Sequence, residues 1–155
     1  MRGGAVVLVW AVGCAPAVLE PLPGRARAEG FTIEGKAEAA TYRVALAGAE
    51  ADLAGGGLIS GTDTRVVAVG AGPELLIVAA RSSWDLKGRT AHFEGDVVVS
   101  RGEVTMRCAE LDVRYAGPDA IDTVVASGGV RVERGSRVAS AQRAELVGKT
   151  GRITL

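Results

Sequence analysis

Short apolar stretches separated by glycine dominate the chain from about residue 30 onward. Runs such as Leu75–Val78, Val97–Val99 and Gly129–Glu133 are rich in β-branched residues and are bounded by Gly, Pro, Asp or Ser, which is typical of short strands. The best helical candidate, Ala45 to Leu53, contains Gly48 and fits an alanine-rich strand equally well. No other window keeps the apolar spacing of a long helix, so the pattern predicts an all-β protein.

One strand-and-turn unit occurs twice. Residues 95–102 and 128–135 share the pattern G-x-V-x-V-x-R-G at an offset of 33 residues. The Arg-Gly pair at the end of each copy predicts a tight hairpin, because glycine reaches positive φ without strain. Each copy is therefore expected to form a strand, a turn and a return strand.

A second recurring motif of five residues follows the turns. It begins at Ala49, Ser82, Ala109 and Ala144, with steps of 33, 27 and 35 residues. Each motif leads into another strand, which gives four copies of about two strands. Eight or more consecutive antiparallel strands either close, fold into two facing sheets or wind as a solenoid. With many Val, Ala and Gly residues, the interior of a flattened roll is expected to be partly unfilled and open to an apolar ligand.

Length and charge narrow the class of protein. The chain has 155 residues, 48% of them hydrophobic, so it is most simply one domain with a buried core. The 18 basic and 18 acidic residues are interleaved, and they give no basic face of the kind that neutralises phosphates along a nucleic acid. The sequence therefore predicts no nucleic-acid partner.

The residues that carry most catalytic chemistry are scarce, since the chain has one histidine and two cysteines. It contains no phosphate-binding loop, zinc motif or nucleophile elbow. His92 lies among alternating residues and is interpreted as a strand side chain. Asp52, Asp85 and Asp112 recur at predicted strand ends, where turn chemistry explains them better than acid-base catalysis. We predict that the protein is not an enzyme and that it has no cofactor and no metal site.

The amino terminus predicts export. Arg2 precedes the uncharged residues 3–19, and the small-residue pattern at 26–28 favours cleavage before Glu29. This divides the chain into residues 1–28, a signal peptide or short membrane anchor, and a domain at 29–155. An alternative is a lipoprotein acylated at Cys14. After cleavage Cys108 is the remaining cysteine, expected to be a small buried apolar residue.

Four segments carry a resemblance to a known family: 77–86, 90–102, 108–115 and 126–132. Together they resemble the OstA-like domain of the periplasmic lipopolysaccharide-transport bridge proteins, of the LptA and LptC type. The likeness covers about residues 75–155 well and 31–74 more loosely. It implies an open, twisted antiparallel β-jellyroll built from repeated strand-turn-strand units, with a groove for lipid A acyl chains.

The same resemblance implies a function. The protein would be a periplasmic bridge that passes lipopolysaccharide from the inner to the outer membrane. Its partners would be lipopolysaccharide and other β-jellyroll bridge proteins of the exporter, joined head to tail, with inner-membrane association in the anchored subtype. Both the LptA and the LptC subtype stay open. The alternative is a non-enzymatic structural β-repeat scaffold of the cell envelope, whose roll would be packed solid, and a cupin-like enzyme comes third because cupin metal sites need several histidines.

Strand alternation predicts which residues line the groove. These are Leu76, Phe93, Val97, Val99, Met106, Ile121, Val130 and Val132. Residues expected on exposed strand edges, where a partner would dock, are Phe31, Ile33, Ile153 and Leu155.

Overall fold

The computed structural model describes residues 20–22, 25–36, 40–52, 57–117, 120–147 and 152–154. The regular elements of these residues are all strands: β1 (Glu20–Leu22), β2 (Arg25–Lys36), β3 (Ala40–Asp52), β4 (Leu58–Gly70), β5 (Leu75–Asp85), β6 (Thr90–Arg101), β7 (Val104–Gly117), β8 (Ala120–Arg134), β9 (Arg137–Val147) and β10 (Arg152–Thr154).

The ten strands form one antiparallel sheet in the order β1 to β10, so each strand pairs with its neighbours in sequence. The sheet is open, with β1 and β10 at opposite edges. The prediction of an all-β, open antiparallel jellyroll is confirmed, and the ambiguous segment at 45–53 belongs to β3 up to Asp52. Nowhere in the described residues is there a helix long and apolar enough to cross a membrane.

Two-residue turns close the repeated hairpins. Arg101 pairs with Val104 around Gly102, and Arg134 pairs with Arg137 around Gly135. The two glycines have φ values of 58° and 57°, the left-handed conformation that such turns require. The prediction made from the Arg-Gly pairs is therefore confirmed.

A line of backbone irregularities crosses the sheet at one level. Positive φ recurs at Gly30, Asp63, Asp96 and Gly129, in β2, β4, β6 and β8, with 33 residues between successive members. The pairing register shifts at this level in every strand pair from β5–β6 to β8–β9. Because bulges bend a strand and increase its twist, we expect the sheet to bend along this line, which we call the crease.

Burial is greatest beside the crease. One row of cross-strand neighbours on the inner face runs through Gly61, Ser82, Phe93, Leu111, Ala126 and Ala144. A second row, on the other side of the crease, contains the pairs Thr64–Ala79, Val97–Cys108 and Val130–Ala141. Phe93 and Val97 are fully buried and Leu111 and Val130 are 1% exposed, as expected where both halves of a bent sheet cover the same side chains.

The pairing corrects one detail of the repeat. Leu111, not Ala109, occupies the level of Ser82 and Ala144. Ala109 lies instead at the bulge, where a Cβ on Gly128 would come within 2.5 Å of the Ala109 Cβ. In this copy the recurring sequence is therefore two residues away from its position in the other copies.

Candidate functional site

We call the inner face of the sheet the trough, and its floor is the two buried rows beside the crease. Its two walls are the strand segments that lead away from the crease toward opposite ends of the strands. We call them the hairpin wall, which ends at the two-residue turns, and the loop wall, which ends at the β5–β6 and β7–β8 connections.

The hairpin wall carries an unbroken apolar row. Successive cross-strand neighbours from β2 to β8 are Ile33, Val44, Val66, Ile77, Val99, Met106 and Val132. Most of these side chains are half-buried, and Val66, Val99, Met106 and Val132 pack against the buried core. The row therefore presents apolar surface that the protein itself covers only in part.

The loop wall is apolar as well. From β4 to β9 its row contains Ile59, Trp84, Ala91, Val113, Val124 and Leu146. The Trp84 ring meets Phe93 edge to face, with centroids 5.3 Å apart and planes at 82°. The sequence analysis did not predict this wall, although the apolar residue in the recurring five-residue motif could have indicated it.

The eight predicted groove residues fall at different depths. Phe93, Val97 and Val130 form the packed floor, whereas Val99, Met106 and Val132 lie in the half-buried hairpin wall. These six share the inner face.

The other two predicted groove residues lie away from the middle of the trough. Leu76 pairs with Val67 and Ser100 and alternates with the buried Ile77, which puts Leu76 on the outer face. Ile121 is 39% exposed and pairs with Tyr115 at the far end of the loop wall.

The predicted edge residues lie near both ends of the strand order. Phe31 and Ile33 belong to a stretch of β2 that pairs with β3. On the other side β1 covers only Arg25 to Arg27, so among the described residues 28–36 have no second neighbouring strand. Ile153 is in β10 and pairs with Leu146. Leu155 lies outside the described residues.

A polar contact interrupts the floor between β4 and β5. Thr64 Oγ1 and Ser82 Oγ are hydrogen bonded at 2.6 Å, and the two residues are 0% and 4% exposed. Trp84 Nε1 also donates to Ser82 Oγ, at 3.2 Å. The hydroxyl groups are thus satisfied within the core, and they hold the loop wall to the floor.

The residues considered for acid-base chemistry serve the sheet. Asp85 Oδ1 accepts hydrogen bonds from the backbone N–H groups of Lys87 and Gly88, at 3.0 and 2.8 Å, which confirms a turn role. The same expectation was wrong for Asp112, which lies inside β7 and accepts a hydrogen bond from His92 Nδ1 at 2.6 Å. His92 is a strand side chain, as predicted. No cluster suited to a metal is found in the described part of the chain.

Burial raises the pKa of two weakly acidic side chains. Burial raises the pKa of the Cys108 thiol, which is 7% exposed on the floor. A raised pKa keeps the thiol protonated and unreactive, in agreement with its predicted role as a small apolar residue. Burial also raises the pKa of Tyr115 to about 12. Neither group is prepared for nucleophilic chemistry.

An open antiparallel sheet bent around an apolar inner face defines a class, the β-jellyroll domains that bind or carry an apolar ligand. The family model described as LptA/(LptD N-terminal domain) LPS transport protein matches residues 76–155, more than half of the chain. The chain therefore belongs to this lipopolysaccharide-transport family of the cell envelope, whose domain is a transport and binding fold. Comparison with curated proteins gives no match.

Proposed function

We propose that the protein is a periplasmic bridge that carries lipopolysaccharide from the inner toward the outer membrane, with the lipid A acyl chains lying in the trough. The single observation that carries this proposal is the half-buried apolar row of the hairpin wall, which crosses strands β2 to β8 without a polar residue. Family membership supports lipopolysaccharide as the cargo.

The depth of each residue decides which side chains contact the cargo. Phe93 and Val97 have no exposed surface, so a lipid would gain nothing by lying against them. Val99, Met106 and Val132 keep exposed apolar surface, and each methylene of an acyl chain buried against it contributes about 0.8 kcal/mol. The lipid contacts are therefore assigned to the walls, above a floor that gives the trough its shape.

Site-specific photo-crosslinking tests the proposal. Benzoylphenylalanine is placed at Met106 or Val132 on the inner face and, as matched controls, at Arg107 or Arg131, which directly follow or precede them on the outer face. We expect crosslinks to lipopolysaccharide in living cells at the two inner positions and at neither outer position. The measurement is an immunoblot of the adduct.

The alternative, a structural scaffold of the envelope, predicts a different result. The tightly packed floor is the observation that fits a scaffold. A folded protein that gives no lipopolysaccharide adduct at Met106 or Val132, or equal adducts on both faces, contradicts the carrier proposal.

Head-to-tail assembly is the second part of the proposal. Residues 28–36 of β2 and 137–144 of β9 each have one neighbouring strand among the described residues. Unpaired backbone groups on such edges add a strand from another chain. We propose that the β9–β10 edge of one molecule joins the β2 edge of a like-folded partner near Phe31 and Ile33, so that the two troughs align.

Proline substitution tests this edge. Successive residues of a strand point their N–H groups to opposite sides, so of Thr32 and Ile33 one faces β3 and the other the open edge. We expect one of the variants Thr32→Pro and Ile33→Pro to abolish association in analytical ultracentrifugation with little change in the thermal transition, and the other to lower that transition. Deleting residues 151–155, or introducing Ile153→Pro, should weaken association from the opposite edge. Full association in all four variants contradicts the proposed interface.

Export and processing complete the proposal, with residues 1–28 as a signal peptide and cleavage before Glu29. The register adds a consequence, because Arg25 to Ala28 pair with Asp52 to Ala49, and cleavage there removes four pairs from the β2 edge. The intact mass of the protein from an envelope fraction decides the matter. A mass that includes diacylglycerol on Cys14 supports the lipoprotein alternative, and an uncleaved chain supports the anchor.

A further inference from the structure

The repeated sequence pattern places arginine on the same face as the apolar wall. In each copy of G-x-V-x-V-x-R-G, two valines and the arginine alternate along one strand. The pairing confirms this alternation, because Arg101 lies two residues beyond Val99 and Arg134 two residues beyond Val132. At the rise of a β-strand, each arginine begins about 7 Å above the apolar row.

These arginines lie in one row of cross-strand neighbours, with Val104 of β7 between Arg101 and Arg134. Arg134 stands opposite Arg137 across the β8–β9 turn. We call Arg101, Arg134 and Arg137 the basic rim, and all three residues are exposed. The Arg101 Nη2 atom lies 3.1 Å from the position that a Cβ on Gly72 would take, which puts its guanidinium at the top of the hairpin wall.

Within the described part of the chain, the basic rim has no acidic ion-pair partner. Among the described residues, none of its three guanidinium groups forms an ion pair, whereas Arg131 on the outer face is held by Glu133 at 2.6 Å. Arg134 and Arg137 are directly opposite each other, an arrangement of like charges that destabilises a strand pair. Three guanidinium groups without ion pairs on one margin of an apolar trough are suited to an anion that arrives with the ligand.

The opposite margin of the trough differs. At the end of the loop wall, the paired inner-face residues of β7 and β8 are Tyr115 and Ile121. Lys87 and Arg89, in the nearby β5–β6 turn, each have an interaction partner. The hairpin margin differs in that, among the described residues, its three arginines form no ion pair.

We infer that the basic rim binds the phosphate groups of the lipid headgroup and thereby sets the orientation of the ligand in the trough. This inference rests on the proposed function, since it concerns the same ligand. The acyl chains lie against Val99 and Val132, and the phosphates of the headgroup receive paired N–H donors from the arginines above them. An amphiphile with the same chains and no phosphate binds more weakly and without a fixed orientation.

Two triple variants of equal charge test the inference. The rim variant is Arg101→Gln, Arg134→Gln, Arg137→Gln. The control variant is Arg65→Gln, Arg107→Gln, Arg114→Gln, three exposed outer-face arginines that, among the described residues, also form no ion pair. Binding of bisphosphorylated lipid A and of chemically dephosphorylated lipid A is measured for each protein, together with crosslinking of each lipid from benzoylphenylalanine at Met106.

We expect the unaltered protein and the control variant to bind bisphosphorylated lipid A at least tenfold more tightly than the dephosphorylated form. The rim variant should bind both forms equally, keep the Met106 crosslink and unfold at the same or a higher temperature, because one like-charge pair is removed. If the rim variant keeps the tenfold preference, or if the control variant loses it equally, the basic rim is not the phosphate site although the trough still carries lipid. If neither lipid crosslinks at Met106 in the unaltered protein, the proposed function fails and the inference fails with it.

Discussion

Strands β2–β4 and strands β5–β9 follow the same backbone plan and fill it differently. In β5–β9 the crease is lined by large apolar residues such as Phe93, Leu111 and Val130, and the main buried cluster is confined to these strands. In β2–β4 the corresponding inward positions include Ala28, Gly61 and Thr64. The two regions meet at the hydrogen bond between Thr64 and Ser82.

The backbone irregularities at the crease also differ between the two regions. Gly30 and Asp63 are single residues with positive φ, and the pairing register of β2–β3 and β3–β4 continues past them unchanged. In β6 and β8 two successive residues have positive φ, and the register shifts by one. The line of positive φ thus runs through both regions, while the register shifts and the main buried cluster occur in β5–β9. The family model matches the region where the core is largest, residues 76–155.

Large-to-small substitutions in the core of each region give the largest expected effect and test this contrast directly. Phe93→Ala should lower the free energy of unfolding by about 3–5 kcal/mol, because it leaves a large cavity at the centre of the buried cluster. Leu46→Ala, in β3, should cost about 2–3 kcal/mol, since Leu46 packs mainly against Gly61 and lies outside that cluster. Urea unfolding measures both, and equal losses would show that stability is spread evenly over the two regions.

The double bulge of β8 offers a comparison between adjacent glycines. Gly128 has a φ of 78°, and an added Cβ would lie 2.5 Å from the Ala109 Cβ, so Gly128→Ala should cost about 2–3 kcal/mol from strain and overlap. Gly129 has a φ of 81° with open space around it, so Gly129→Ala should cost about 1 kcal/mol from strain alone. Adding Ala109→Gly should recover part of the first loss and none of the second. Identical losses for the two single variants would mean that overlap with Ala109 is unimportant.

Removing the hydrogen bond between Thr64 and Ser82, which joins the two regions, is expected to cause a smaller loss of stability. Ser82→Ala should cost about 2 kcal/mol, because it leaves both the Thr64 hydroxyl and the Trp84 N–H without their partner inside the protein. Thr64→Val should cost about 1 kcal/mol, since Ser82 keeps the hydrogen bond from Trp84. Thermal unfolding of the two variants and of the double variant measures the coupling, and purely additive losses would contradict a shared network.

The smallest expected effect is a loss of stability at high pH that comes from β7. Burial raises the pKa of Tyr115 from its ordinary value near 10 to about 12, so the unfolded chain releases the phenolic proton first. Stability is unaffected well below pH 10, falls as the pH rises toward 12, and is lower by about 1.4 kcal/mol at pH 11. Tyr115→Phe should remove this part of the pH dependence. An unchanged slope between pH 10 and 12 in that variant would exclude Tyr115 as its source.

Much of this fold was predictable because it depends on local signals. Glycines at 102 and 135 marked the turns, and alternation put Val97, Val99, Val130 and Val132 on one face. The crease was harder to predict, because Asp63 and Asp96 adopt positive φ without being glycine. The copy at Ala109 was misplaced because sequence similarity within one strand does not fix its pairing register with the neighbouring strands.

The depth of the site could not be predicted by alternation. Period-two spacing predicts which face of the sheet a residue occupies. It does not distinguish the depths of Val97 and Val99, although Val97 is fully buried and Val99 is half-buried. Depth depends on the distance from the crease, which is a property of the whole sheet. The basic rim escaped notice for a related reason, because the arginine of the repeat was interpreted only as part of a turn.

Because each strand pairs only with its sequence neighbours, the sheet can be lengthened by adding strand pairs without changing the existing pairs. Strands stand about 4.8 Å apart, so one duplicated 33-residue unit would lengthen the trough by about 10 Å and leave every existing contact in place. A closed barrel could not grow in this way, since an added hairpin would change its circumference and curvature. The length of such a sheet can therefore be adjusted by tandem duplication or loss of a unit, with its cross-section unchanged.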